Sequence, residues 1–146
     1  MIKASNFFSN EEKHQIVEAI KLAELETSGE IRLHIEEKTE IPAIERAIEI
    51  FRFLEMDKTV ARNGVLIYMA IEKKTFAIFG DAGINEKVPL DFWDTTKEIM
   101  IGQFNNKEFL KGLLDGIYSI GLQLKTHFPY DKNTDKNELP DDISFG

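Results

Sequence analysis

Two apolar runs separated by a short charged segment constrain the fold more than any other feature of the sequence. Residues 64–71 and 75–80 are rich in β-branched and aromatic side chains, and the charged residues 72–74 connect them. This pattern is typical of two antiparallel strands that form a buried hairpin. The outer ends of such strands lie side by side, which places Asn63 next to Asp81. The hairpin therefore predicts both a core and a polar rim.

The segments around the hairpin predict an α/β fold. Residues 30–37 alternate between apolar and polar side chains, as a strand does. A helical segment separates this strand from residues 64–71, so the two strands are expected to be parallel with a right-handed crossover. Apolar stripes at helical spacing predict four helices, over about 10–26, 42–54, 89–104 and 109–125. We expect a central mixed, partly parallel β-sheet of about three to four strands, sandwiched between about four α-helices.

Length and charge indicate the general class of the protein. The 146 residues suit one domain, and we expect residues 1–129 to form it and residues 130–146 to be an acidic, flexible C-terminal tail. The 26 acidic and 18 basic residues give a net charge of -8. This balance argues against nucleic acid as a partner and is compatible with cation binding. No apolar run reaches about 18 residues, so we expect a cytoplasmic, monomeric protein without a membrane span.

Chain direction is expected to bring several polar residues to one edge of the sheet. Glu30 begins the first predicted strand, Asn63 precedes the second and Asp81 follows the third. The third helix begins soon after Asp81, so Asp94 is expected near the same edge. Carboxylate and amide oxygens suit Ca²⁺ or Mg²⁺. The alternative interpretation is that Asn63 and Asp81 cap turns, Glu30 is solvated and Asp94 complements the helix dipole.

Asp115 is a further candidate metal ligand, because it lies in the last predicted helix between Gly112 and Gly116. Glycine costs roughly 1 kcal/mol relative to alanine in a helix, which indicates a close backbone contact there. The neighbouring polar positions favour a solvated side chain instead. His34, on the polar face of the first strand, is expected at the surface or half-buried. The sequence contains no phosphate-binding P-loop, dinucleotide fingerprint or nucleophile elbow, so no catalytic residue is assigned.

Five motifs, in this order, resemble the TPM domain family in its stand-alone bacterial form. They are Thr27-Ser28-Gly29-Glu30-Ile31, Asn63-Gly64-Val65-Leu66-Ile67, Phe79-Gly80-Asp81-Ala82-Gly83-Ile84, Phe92-Trp93 and His127-Phe128-Pro129. The resemblance covers about residues 5–129. It implies an α/β sandwich that binds divalent cations, often calcium, in an acidic pocket formed by loops. It also implies that Asp81 and Glu30 belong to this pocket, and some members are described as weak acid phosphatases.

Three functional hypotheses follow. The first is a TPM domain that binds a divalent cation, Ca²⁺ before Mg²⁺, through Glu30, Asn63 and Asp81, with Asp94 and Asp115 as further candidates. The second is a metal-assisted acid phosphatase acting on a phosphorylated small molecule. The third is a module that binds another protein without catalysis.

Overall fold

The computed structural model describes residues 2–130 and 139–146. It confirms the predicted α/β fold. Within these ranges, no helix combines the length and hydropathy needed to cross a membrane. The helices and strands, in chain order, are α1 (Asn10–Glu24), β1 (Glu30–Glu36), α2 (Ala43–Phe53), β2 (Gly64–Ala70), β3 (Thr75–Gly80), α3 (Ala82–Asn85), α4 (Asp94–Asn105), α5 (Phe109–His127) and β4 (Ser144–Phe145).

The sheet is mixed and has the strand order β3-β2-β1-β4. β1 pairs with β2 in parallel, with Glu30 opposite Gly64, and β2 pairs with β3 in antiparallel, with Val65 opposite Gly80. The parallel crossover and the hairpin predicted from the sequence are therefore confirmed. Because β1 and β2 begin at the edge where β3 ends, the three chain segments before or after these strands meet there.

The sheet separates two hydrophobic cores, and β2 is buried on both faces. Val65, Ile67 and Met69 belong to the larger core, to which α1, α4 and α5 contribute. Leu66 and Tyr68 belong to the smaller core, which α2 covers. Successive side chains of a strand point to opposite faces, so a continuous apolar run is the pattern that a doubly covered strand requires.

The C-terminal segment contributes a strand that the sequence pattern did not predict. Ser144 and Phe145 form β4, which pairs in parallel with His34 and Ile35 of β1, and Leu139 is buried. A strand of two residues is too short to show a period in the sequence. Of the predicted tail, residues 131–138 lie outside the described residues.

Candidate functional site

The edge where β1 and β2 begin and β3 ends forms a polar rim, which we define by Glu30, Asn63 and Asp81. The backbone N–H of Glu30 donates to the carbonyl of Asn63 at 3.3 Å, and that of Asp81 donates to the carbonyl of Gly64 at 3.0 Å. The Asn63 amide donates to Ser28 Oγ at 3.2 Å. All three rim residues are buried. The structure thus brings together the three rim residues that chain direction predicted.

The Asp81 carboxylate makes several hydrogen bonds within the rim. It accepts from Nε and Nη2 of Arg62, at 2.7 and 2.8 Å, and from the backbone N–H of Ala82 at 2.7 Å, which caps α3. The hydrogen bond to Asp81 raises the pKa of Arg62. A bidentate pair with arginine balances the charge of a carboxylate and fixes its orientation. Asp81 therefore shapes the turn before β2, as the turn-capping alternative expected.

Close packing of this turn explains the glycine that follows. The N–H of Gly83 donates to the carbonyl of Arg62 at 2.8 Å, and Arg62 has a positive φ of 53°. A Cβ on Gly83 would lie 2.2 Å from the carbonyl oxygen of Ala61. Only glycine fits at that distance, so the backbone contact requires the glycine at position 83.

Glu30 lies in an acidic cluster, which we define as Glu24, Glu30 and Asp141. Its Oε1 accepts from the backbone N–H of Leu139 at 2.6 Å, and Glu24 Oε2 accepts from the N–H of Ile31 at 2.7 Å. Burial raises the pKa of Glu24 to about 9, with further contributions from a hydrogen bond to Asp141 and from the charges of Asp141 and Glu30. Carboxyl groups that share a desolvated site favour a proton or a cation between them.

Sequence reasoning missed Glu24 and Asp141. Glu24 is the last residue of α1, and it reaches the N–H of Ile31 after the chain has turned into β1. Asp141 is on the segment that leads into β4. The acidic cluster is not a finished coordination shell: within residues 2–130 and 139–146, no three His, Cys, Asp or Glu side chains are arranged to hold a metal ion.

The other two candidate ligands lie on the helices that cover the larger core. Asp94 is exposed in the first turn of α4, where its Oδ1 is 3.8 Å from Nζ of Lys97. Asp115 on α5 accepts a hydrogen bond from the Gln103 side chain at 3.3 Å. Both carboxylates therefore have partners on α4.

A second polar group, the Glu36 network, lies at the opposite end of β1 and comprises Glu36, His34, Arg46, Tyr68 and Ser144. Glu36 accepts from Arg46 Nε and Nη2 at 2.8 and 2.9 Å and from the Tyr68 hydroxyl at 2.5 Å. His34 Nδ1 is 2.9 Å from Ser144 Oγ, and its Nε2 is 3.5 Å from Glu36. This network ties α2 and β4 to the middle of the sheet.

Charge and burial oppose each other in the Glu36 network. Burial favours a raised pKa for Glu36, but the hydrogen bonds from Arg46 and Tyr68 outweigh it and hold the pKa below its usual value. Burial lowers the pKa of His34, although the neighbouring Glu36 acts in the other direction. The expectation that His34 is at the surface or half-buried was wrong, because its side chain is only 3% exposed.

Comparisons with known proteins support the family resemblance of the five sequence motifs. A family model described as the TPM domain matches residues 1–123. The NMR structure of the BA42 protein from the psychrophilic bacterium Bizionia argentinensis is 49% identical, with 100% of each chain covered and a TM-score of 0.92. Comparison with curated proteins gave no match.

Two more distant solved structures share the fold alone. The N-terminal domain of a protein from P. gingivalis is 14% identical over 85% of this chain and 80% of that one, with a TM-score of 0.67. The N-terminal domain of cg2496 from Corynebacterium glutamicum is 11% identical over 93% of this chain and 82% of that one, with a TM-score of 0.65.

Proposed function

The chain belongs to the TPM domain family, and we propose that it binds a divalent cation, Ca²⁺ before Mg²⁺, at the rim of the sheet. The observation that carries this proposal is the convergence of Glu24, Glu30 and Asp141. Burial, together with the hydrogen bond to Asp141 and the charges of Asp141 and Glu30, raises the pKa of Glu24 to about 9. A bound cation would supply the positive charge that a proton on Glu24 supplies in its absence.

The donor set suits a hard cation. Carboxylate oxygens are the ligands that Ca²⁺ prefers, and its flexible coordination tolerates an irregular group better than the strict octahedron of Mg²⁺ does. We assign Glu30 as the central ligand, with Glu24 and Asp141 beside it. Asn63 lies on the adjoining segment, and its backbone carbonyl accepts a hydrogen bond from the N–H of Glu30.

Asp81 contributes to the proposed site mainly through the turn that it holds. Its carboxylate accepts two hydrogen bonds from Arg62, whose side chain is 48% exposed. Direct coordination by Asp81 would require the Arg62 guanidinium to move into solvent. We assign no ligand role to Asp94 or Asp115, whose carboxylates contact Lys97 and Gln103.

Calcium titration followed by amide NMR tests the proposal. We expect saturable shifts at residues 24, 30–31, 62–64 and 139–142, and similar but weaker changes with Mg²⁺. Glu30→Gln keeps the shape of the side chain and removes its charge, so it should weaken Ca²⁺ binding about tenfold or more.

Asp115→Asn is the matched control, because it makes the same change in charge on α5 and should leave the affinity unchanged. Shifts confined to α4 and α5, or equal affinities for Glu30→Gln and the unmodified protein, would contradict the proposed site.

Acid phosphatase activity is an alternative that the family resemblance supports. A bound cation would then orient a phosphate group and neutralise its charge. Turnover of an aryl phosphate should in that case persist through purification and decrease in Glu30→Gln. Activity that is unaffected by this substitution would come from a contaminant. A module that binds another protein is the remaining alternative, and recovery of a partner that persists in Glu30→Gln would favour it.

A further inference from the structure

An apolar groove of about 410 Å³ lies between α1 and α5, on the outer side of the helices that cover the larger core. Three large apolar side chains of this groove are exposed: Leu22 by 66%, Tyr118 by 68% and Leu122 by 48%. A contiguous apolar surface of this kind is typical of a site of protein association. The lining residues are Ala19, Leu22, Ala23, Glu26, Leu114, Tyr118, Gly121, Leu122 and Lys125.

The two helices that form the walls of the groove lie side by side and run in the same direction. At their N-terminal ends, the rings of Phe7 and Phe109 are in contact, with centroids 5.4 Å apart. At their C-terminal ends, Lys125 Nζ is 3.1 Å from Glu26 Oε2. Each residue on one wall therefore has a counterpart at the same level on the other wall.

The exposed charges along the groove are separated by helix. Acidic residues recur beside Leu22 at intervals of four or seven residues, and basic residues recur beside Tyr118 at intervals of seven, so each set follows one face of its helix. We call these sets the acidic stripe and the basic stripe. The acidic stripe, on α1 and just beyond its end, is Glu11, Glu18 and Glu26, and the basic stripe on α5 is Lys111 and Lys125.

This separation makes the groove complementary in charge to itself. A strongly basic partner would be attracted by one wall and repelled by the other, and so would a strongly acidic one. A second copy of the chain supplies both signs. The other charges on the two helices lie outside the groove lining: Lys21 contacts Glu18 at 3.7 Å, and Asp115 accepts a hydrogen bond from Gln103 on α4.

We propose that the groove binds the same groove of a second copy, with a two-fold axis that runs along it. Such an axis places α1 of each copy against α5 of the other, in the same direction and at the same level. Leu22 then faces Tyr118 and Leu122 of the other copy, and Glu26 faces its Lys125. A two-fold axis across the groove would bring like stripes together instead. The dimer requires no metal ion and is independent of the proposed cation site.

Sedimentation equilibrium over a range of protein concentrations tests the proposal. We expect the average mass to rise with concentration towards twice the mass of one chain. Tyr118→Glu places a charge in the apolar centre of the interface and should raise the dissociation constant of the dimer roughly thirtyfold or more. Phe53→Glu is the matched control, because Phe53 is 80% exposed on α2 and its substitution should leave the dissociation constant unchanged.

Charge reversal tests whether the occupant is a second copy. A variant with Lys111→Glu and Lys125→Glu has acidic residues on both walls, and a variant with Glu18→Lys and Glu26→Lys has basic residues on both. Each variant alone should be monomeric, because like charges then face each other. An equimolar mixture should form a heterodimer, because each acidic wall then faces a basic one. All four side chains are exposed, and amide NMR spectra check that each variant is folded.

The monomer that the sequence led us to expect would overturn the proposal, if the unmodified protein remains monomeric at the concentrations used for NMR. Equal dissociation constants for Tyr118→Glu and the unmodified protein would also overturn it, as would a mixture of the charge-reversed variants no heavier than its components. If the unmodified protein is monomeric and the amide signals of residues 19–26 and 114–125 shift with an amphipathic helical peptide, the groove binds another protein and the proposed occupant is wrong.

Discussion

The two ends of β1 each bury glutamates, and the pKa values at the two ends shift in opposite directions. At the C-terminal end, Glu36 is hydrogen-bonded to Arg46 and Tyr68, and its pKa is held below the usual value. At the N-terminal end, Glu24 lies beside the carboxyl groups of Asp141 and Glu30, and its pKa rises to about 9. Burial opposes ionisation at both ends, so the neighbours decide the outcome.

This difference separates a structural carboxylate from a candidate ligand. A buried carboxylate whose hydrogen bonds come from a guanidinium and a hydroxyl connects the elements that supply these donors, as Glu36 connects α2 and β2 through Arg46 and Tyr68. Carboxyl groups that lie close together in a desolvated place favour a proton or a cation between them, and their mutual repulsion reduces folding stability when they ionise. Perturbed groups of this second kind are the better candidates for function.

The largest expected effect of a substitution on the free energy of unfolding is at the C-terminal end of β1, where Glu36 is paired with Arg46. Arg46→Met removes the charge that compensates Glu36, so the free energy of unfolding at neutral pH should fall by about 3 kcal/mol. Chemical denaturation with Arg52→Met as the exposed control measures this difference.

In the unmodified protein, the stabilising contribution of Glu36 is present above pH 4.5, its ordinary pKa, and is lost as the pH falls through its lowered value. Arg46→Met should remove this acid dependence, and a variant as stable as Arg52→Met would show that the pair contributes nothing.

The acidic cluster should show the opposite dependence on pH. The folded-state pKa of Glu24, about 9, lies above its ordinary value of 4.5, so the folded protein binds more protons than the unfolded chain between these limits. In the presence of a chelator, stability should therefore fall as the pH rises through this window, by about 4 kcal/mol between pH 5 and 8, because a difference of one bound proton contributes about 1.4 kcal/mol per pH unit. Glu24→Gln should flatten the profile, and added Ca²⁺ should flatten it in the unmodified protein. A chelated protein with a flat profile would contradict the raised pKa.

The contrast between the two ends also explains what could be predicted from the sequence. The pattern of apolar residues was sufficient to predict β1, β2 and β3, because strands depend on local sequence. Chain direction was then sufficient to place Glu30, Asn63 and Asp81 at one edge of the sheet. Glu24 and Asp141 could not be found in this way, since a helix end and a two-residue strand bring them to β1. Asp94 is close to Asp81 in sequence, but α3 and the turn after it separate the two, and the Asp94 side chain contacts Lys97.

The smallest expected effect on stability concerns a buried neutral group, the hydroxyl of Thr59. Thr59 Oγ1 is buried without a partner, so Thr59→Val, which keeps the shape of the side chain, should raise the free energy of unfolding of the ligand-free protein by about 1 kcal/mol. Thr96→Val is the matched control, because the Thr96 hydroxyl is hydrogen-bonded to Ser119 and its removal should lower stability by a similar amount. If Thr59→Val is stabilising, then the buried hydroxyl reduces the stability of the folded protein, as ionised carboxyl groups of the acidic cluster do. If Thr59→Val lowers stability as Thr96→Val does, the hydroxyl is satisfied within the folded protein.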